Sequence, residues 1–112
     1  GEKTAKVKTE QQLSKEAINK GGAKILEAKG WRALLEDTAT PANTKDSLLK
    51  DIQPFKNAME QKKEELETFF ASRKWPECTG SRLGLERAIA DYNEAAKHIA
   101  LHCGGGKKGT KK

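Results

Sequence analysis

Apolar residues return every three or four positions in three stretches of the chain, the spacing that places them on one face of an α-helix. The first stretch contains Leu13, Ala17, Ile18, Ile25 and Leu26. The second contains Leu48, Ile52, Phe55, Met59, Leu66 and Phe69, and the third contains Leu85, Ile89, Tyr92, Ala96, Ile99 and Cys103. No useful length of chain alternates apolar and polar residues as a strand does. The sequence therefore predicts an all-α protein.

Local signals bound the first helix. Thr9 followed by Gln12 is a capping box, so we expect a helix over residues 9–29. Gly22 lies on its apolar stripe, where a missing side chain is expected to let a neighbouring helix approach closely. The glycine after residue 29 is expected to end this helix, and residues 31–36 are expected to form an extra short one.

Proline and glycine mark the ends of the other two helices. Pro54 lies inside the second stripe and predicts a kink or a fresh helix start. Trp75 precedes Pro76 and is expected to end the second helix, since a residue before proline avoids the α region. Residues 79–81 are expected to cap the third helix, and Gly104 is expected to end it as a C′ residue.

These elements predict a small up-down bundle of three helices, or of four when the segment 31–36 is counted. The short connection over residues 75–80 makes the second and third helices antiparallel neighbours, and the first covers their shared groove. We expect a flexible N-terminal segment at 1–8, a helical bundle domain at 9–103 and a disordered Gly/Lys-rich tail at 104–112.

The net charge of +6 and the isoelectric point of about 9.4 change this picture little. Residues 104–112 hold four lysines and no acidic residue, whereas residues 13–103 hold 15 basic and 14 acidic residues. The basic character therefore lies in the ends of the chain. Residues 1–10 are polar and do not resemble a secretory leader. No apolar run reaches the roughly 20 residues that a membrane-spanning helix needs, so no span is predicted.

The two cysteines, Cys78 and Cys103, are expected to be free thiols. A continuous helix between them holds its ends about 33 Å apart, whereas a disulfide needs Cα atoms within about 7 Å. Free thiols favour a reducing, intracellular setting, the cytoplasm or the nucleus.

No catalytic, cofactor or metal site is predicted. His98 and His102 are four apart, with Glu94 four residues before them, and two imidazoles at this spacing can share a zinc ion. Without a further histidine, we interpret them as surface residues near the C-terminus of a helix. Cys78 is placed in a loop at a helix start, where the helix dipole lowers a thiol pKa, but far from both histidines. Cys103 lies on the apolar stripe and is interpreted as a buried structural thiol.

The leading functional hypothesis is a non-enzymatic helical interaction module that binds a protein partner, a peptide or an amphipathic helix, through a surface groove. Phe69 and Phe70 diverge by about 100° around their helix, so both cannot face the same core. The candidate partner-binding residues are Phe69, Phe70, Trp75 and Leu83. Trp75 either plugs the end of the bundle or stands exposed as an anchor.

Nucleic-acid binding is the alternative hypothesis. The first helix is the least balanced by acids, and a one-sided basic stripe on it would favour contact with phosphates. The candidate residues are Lys15, Lys20, Lys24, Lys29 and Arg32, together with Lys107 and Lys108 of the tail.

Overall fold

The protein is a bundle of three helices in a computed structural model that describes residues 8–109, with side chains for residues 8–101. Helix α1 spans Glu10–Glu36, α2 spans Ala42–Ala71 and α3 spans Trp75–Gly109. Each helix packs against the other two. Because no strand occurs within residues 8–109, the predicted all-α bundle is confirmed for this part of the chain.

Helix α1 begins at the predicted capping box and runs further than expected. Thr9 Oγ1 accepts the Gln12 backbone N–H at 3.2 Å, and the Gln12 side chain accepts the Thr9 backbone N–H at 3.0 Å. The helix passes through Gly30 without a break, so the predicted separate helix at 31–36 is wrong. Trp31 and Leu35 continue the buried stripe of α1, and their burial outweighs the cost of about 1 kcal/mol for a glycine in a helix.

The stripe that α1 buries is shifted from the predicted one. Its buried residues are Ser14, Ala17, Gly21, Ile25, Ala28, Trp31 and Leu35. Leu26, expected on the stripe, is 71% exposed. The glycine against the neighbouring helix is Gly21 rather than Gly22, because a Cβ at Gly21 would lie 3.1 Å from a methyl group of the fully buried Leu85.

Helix α3 starts earlier than predicted. Its first turn contains Trp75 and Pro76, so the expected cap at residues 79–81 is wrong. Proline suits the first turn because the N–H groups there have no partner within the helix. Helix α2 likewise continues through Pro54, so no fresh helix begins at that proline.

The predicted end of α3 at Gly104 is also wrong, since the helix continues to Gly109. A C′ glycine adopts a positive φ, and no glycine in the described part of the chain does so. The expectations for residues 1–7 and 110–112, at the two predicted flexible ends, fall outside the described residues.

The turn between α2 and α3 is held by the backbone of Arg73, whose φ is 56°. The N–H of Arg73 donates to the Phe70 carbonyl at 3.0 Å, and that of Lys74 donates to the Phe69 carbonyl at 2.9 Å. These are the two hydrogen bonds of a Schellman motif, with arginine in the left-handed position that glycine usually takes.

The core is built from one face of each helix. Its fully buried side chains include Leu35, Met59, Leu66, Leu85, Tyr92 and Ile99. The predicted stripe of α3 is confirmed from Leu85 to Ile99, and the Cys103 side chain lies outside the described ones. None of the helices, over the residues described, has an apolar stretch long enough to cross a membrane.

Candidate functional site

A groove runs along the boundary between α1 and α2. Two adjoining clefts of about 230 and 430 Å³ form it, and Lys29 lines both. Its apolar floor consists of Ile25, Ala28 and Ile52, which are buried, and Leu49, which is half-buried. The floor residues belong to the packed stripes of both helices.

One end of the groove is basic. Lys29, Arg32 and Lys56 surround the smaller cleft, and the Gln53 side chain adds a polar group. Glu60 carries the neighbouring negative charge, with its Oε2 at 3.3 Å from Lys56 Nζ and 3.9 Å from Lys29 Nζ. Arg32 has no ion pair with any described residue. Its guanidinium is therefore available to an acidic group.

The other end of the groove is acidic. Glu60, Glu64 and Glu67 line the larger cleft together with Lys63, whose Nζ lies 2.9 Å from a Glu67 oxygen. At 1.5 Å per residue, Lys56 and Glu67 are about 17 Å apart along α2. The groove thus carries opposite charges at its two ends over a length of three helical turns.

The predicted aromatic residues flank the α2–α3 turn, at the end of α2 and the start of α3. Phe69, Phe70 and Trp75 are half-buried and pack against the core, and the Phe70 and Trp75 rings meet edge to face at 5.7 Å. Both phenylalanines contact the core, so the expectation that they cannot is wrong. Trp75 packs against the core and stays partly exposed. Leu83 is 53% exposed two turns further along α3 and does not belong to the buried stripe of that helix.

The predicted basic residues of α1 do not form one stripe. At 100° per residue, Lys20 and Lys24 lie on the flank of α1 towards α3, and Lys29 and Arg32 lie on the flank towards α2. The contacts agree with this division. Lys24 lies 3.7 Å from Glu27, and the Glu27 carboxylate accepts a hydrogen bond from Tyr92 of α3. Lys15 is exposed, and the side chains of Lys107 and Lys108 are not among those described.

Two polar clusters join distant parts of the chain inside the bundle. Glu10 accepts hydrogen bonds from Ser14 and Thr79, each at 2.8 Å, and from Arg82. Higher in the bundle, the Trp31 indole donates to the Tyr92 hydroxyl at 2.6 Å. That hydroxyl donates in turn to Glu27 at 2.7 Å. Burial raises the pKa of Tyr92, and the hydrogen bond to Glu27 raises it further. Both clusters are internally satisfied, so we interpret them as structural.

Cys78 lies in the first turn of α3 and not in a loop as predicted. Its side chain is fully buried, and this burial, reinforced by the charges of Glu10 and Glu77, raises the pKa of the thiol. The expected lowering by the helix dipole is therefore outweighed. A buried thiol with a raised pKa is a poor nucleophile.

His98 is exposed and lines a cleft of about 330 Å³ with Phe55, Asp91, Glu94 and Ala95. No three potential metal ligands of the types His, Cys, Asp and Glu gather at one point among the described residues. The His102 side chain lies outside the described ones, so its pairing with His98 stays a hypothesis.

No family model matches this chain. Searches of curated proteins and of solved structures also found no significant match.

One signal in the sequence, not used in the prediction, points to this groove. Lys56 and Lys63 are seven residues apart, as are Glu60 and Glu67, so these four residues share one flank of α2. That flank is the wall of the groove.

Proposed function

We propose that the protein is a non-enzymatic helical interaction module, and that it binds a segment of a protein partner in the groove between α1 and α2. One observation carries the proposal: an apolar floor with a basic wall at one end and an acidic wall at the other. Amphipathic helices and peptides bind to surfaces of this kind, with apolar side chains on the floor and charges at the rim.

The charges of the groove indicate which charges the partner segment carries at each end. A segment with an acidic residue at one end meets Arg32 and Lys56, and a basic residue at its other end meets Glu64 and Glu67. Between these ends, an apolar residue of the segment packs against Leu49, the half-buried residue of the floor. Opposite charges at the two ends fix the direction of the bound segment, because the reversed segment places like charges together.

The proposed action is binding rather than catalysis. Lysine, arginine, glutamate, glutamine and aliphatic side chains line the groove, and no histidine or cysteine among residues 8–101 does so. Cys78 is fully buried, and this burial raises the pKa of its thiol.

Nucleic-acid binding is the second candidate, favoured by the three cations Lys29, Arg32 and Lys56 around one cleft. A nucleic-acid strand that follows the groove passes Glu60, Glu64 and Glu67, which repel phosphates. The protein partner is therefore the better-supported proposal. Deletion of residues 107–112 isolates any contribution of the lysine tail.

The test is affinity capture from matched lysate with and without nuclease, using wild type and the charge-reversed variant Arg32→Glu/Lys56→Glu. Lys97→Glu is the control, because Lys97 is a 71% exposed cation on α3, away from the groove. We expect a discrete protein partner whose recovery survives nuclease and falls at least tenfold with the groove variant.

Equal recovery by the groove variant and wild type contradicts the groove as the binding site. A loss of captured protein on nuclease treatment, with binding abolished by the 107–112 deletion, favours the nucleic-acid alternative instead.

A further inference from the structure

The face of α1 that points away from the bundle carries a stripe of uncharged residues with two exposed leucines. Its positions, opposite the buried stripe, are Asn19, Ala23, Leu26, Gly30 and Ala33, with Leu34 beside the last. Leu26 is 71% and Leu34 is 49% exposed. No charged residue interrupts the stripe between Asn19 and Leu34, a length of about 22 Å.

The spacing of this stripe is that of a helix–helix seam. Asn19, Ala23, Leu26, Gly30 and Ala33 follow one another at intervals of 4, 3, 4 and 3 residues. These are the intervals of the a and d positions of a coiled coil. A Cβ at Gly30 would meet nothing within 4 Å, so space is open there for an approaching helix.

The charges along the two edges of the stripe complement themselves under twofold rotation. One edge carries Lys15, Gly22, Lys29 and Glu36, and the other carries Leu13, Lys20, Glu27 and Leu34. Within the bundle Glu36 already lies 3.6 Å from Lys45 and Glu27 lies 3.7 Å from Lys24, and both side chains stay exposed enough to accept a second cation. When a second α1 packs antiparallel about an axis beside residues 24 and 25, Lys15 faces Glu36 of the second copy. Lys20 faces Glu27 of the second copy, and symmetry doubles both contacts.

A parallel pairing lacks this complementarity. Parallel coiled coils bring each g residue against the e residue five positions further along the second chain. In α1, Lys15 is a g position and Lys20 is an e position. The rule therefore places Lys15 against Lys20 of the second copy, and these two like charges repel. The charge pattern therefore selects the antiparallel arrangement.

We propose that α1 pairs antiparallel with α1 of a second copy of this chain, with Leu26 packed against Ala23 of that copy. In this register the uncharged part of the seam runs from Asn19 to Gly30, because Ala33 faces Glu16 of the second copy. So short a seam buries less than the roughly 1,200 Å² of stable interfaces. We therefore expect a dissociation constant of about 10–100 µM that rises with ionic strength, because edge ion pairs contribute.

The test is sedimentation velocity of the full chain from 5 to about 500 µM at low salt, where association at the constant given above is detected. Leu26→Lys abolishes the dimer, because it places a charge in the seam. Leu83→Lys is the matched control, an exposed leucine of α3 outside the seam. Circular dichroism confirms that each variant keeps its helices.

A charge exchange tests the orientation. Lys15→Glu and Glu36→Lys each weaken the dimer about tenfold or more, since each places two like-charge pairs at the edge. Mixing the two single variants restores association, because both edge pairs of the mixed dimer are again opposite in charge. The double variant restores it as well.

Three results overturn the proposal: a wild-type chain that is monomeric throughout, a Leu26→Lys variant that dimerises normally, or single charge variants that do not recover on mixing. Strengthening by Lys15→Glu alone shows a parallel pair and also overturns it. The groove variant Arg32→Glu/Lys56→Glu leaves the dimer intact, which separates this surface from the proposed partner groove.

Discussion

Arg82 and Glu10, 72 positions apart in the chain, form a two-pronged ion pair that ties the start of α3 to the start of α1. Arg82 Nε lies 2.6 Å from one Glu10 oxygen, and Arg82 Nη2 lies 3.0 Å from the other. The pKa of Glu10 is lowered to about 2, and the hydrogen bonds from Arg82 are the largest cause. Hydrogen bonds from Ser14 and Thr79 lower the pKa as well, whereas burial raises it. The pair therefore couples folding to pH.

Stability should fall in acid because of this pair. Since the pKa of Glu10 is about 2 in the fold and 4.5 by itself, its contribution is complete above pH 4.5. It is lost as the pH falls from 4.5 towards 2. We expect Glu10→Gln to lower the free energy of unfolding by about 2 kcal/mol at pH 7 and by much less at pH 2, measured by urea titration.

The control for this measurement is Glu94→Gln. The Glu94 side chain is 74% exposed and pairs only with the nearby Lys97 among the described residues, so its loss should change stability by less than about 0.5 kcal/mol. A Glu10→Gln variant as stable as this control at pH 7 contradicts the assigned role.

The hydroxyl of Tyr92 should stabilise the bundle through its two partners. Tyr92→Phe leaves the Trp31 indole N–H and the Glu27 carboxylate without their shared partner, and we expect a loss of about 2 kcal/mol. Adding Trp31→Phe to the variant should cost less than the sum of the single changes, since both remove one hydrogen bond. Additive losses in urea unfolding, followed by circular dichroism, speak against the bond.

Gly21 and Gly80 should respond oppositely to alanine. A methyl group on Gly80 meets nothing within 4 Å, so Gly80→Ala gains helix propensity and stabilises by about 0.5–1 kcal/mol. A methyl group on Gly21 lies 3.1 Å from the buried Leu85 side chain, and we expect Gly21→Ala to destabilise by about 1 kcal/mol. Equal gains in thermal unfolding disprove the close packing at Gly21.

The helical part of this fold was predictable where packing and periodicity agree. The stripe of α3 from Leu85 to Ile99 has regular spacing and is buried as expected. Gly30 and Pro76 misled the prediction because their effects depend on context. The burial of Trp31 stabilises α1 beyond Gly30. Pro76 does not end α2, which already ends at Ala71, and it lies in the first turn of α3, where proline is tolerated.

Arg73 holds a conformation that costs a residue with a Cβ. Its φ of 56° is in the left-handed region, which glycine enters freely. We therefore expect Arg73→Gly to stabilise the protein by about 1 kcal/mol in urea unfolding. Lys74→Gly, the adjacent change, should not stabilise, and a destabilised Arg73→Gly variant contradicts the strain.

The candidate site was less predictable than the helices. Its groove joins Lys29 and Arg32 of α1 to Lys56 and Glu60 of α2, and their pairing depends on how the two helices align. The contact between Trp75 and Phe70 was also not predictable, because it depends on α3 beginning at Trp75. The alignment of α1 with α2 and the earlier start of α3 cannot be predicted from composition and residue spacing.

Mapping of NMR chemical shifts on the ¹⁵N-labelled chain, with the captured partner segment added, tests the central claim most directly. We expect the perturbed amides to cluster at residues 25–32 and 49–67, the two walls of the groove, and to be unaffected by deletion of 107–112. A cluster confined to 69–85, or shifts that vanish with the tail, would contradict binding in the α1–α2 groove.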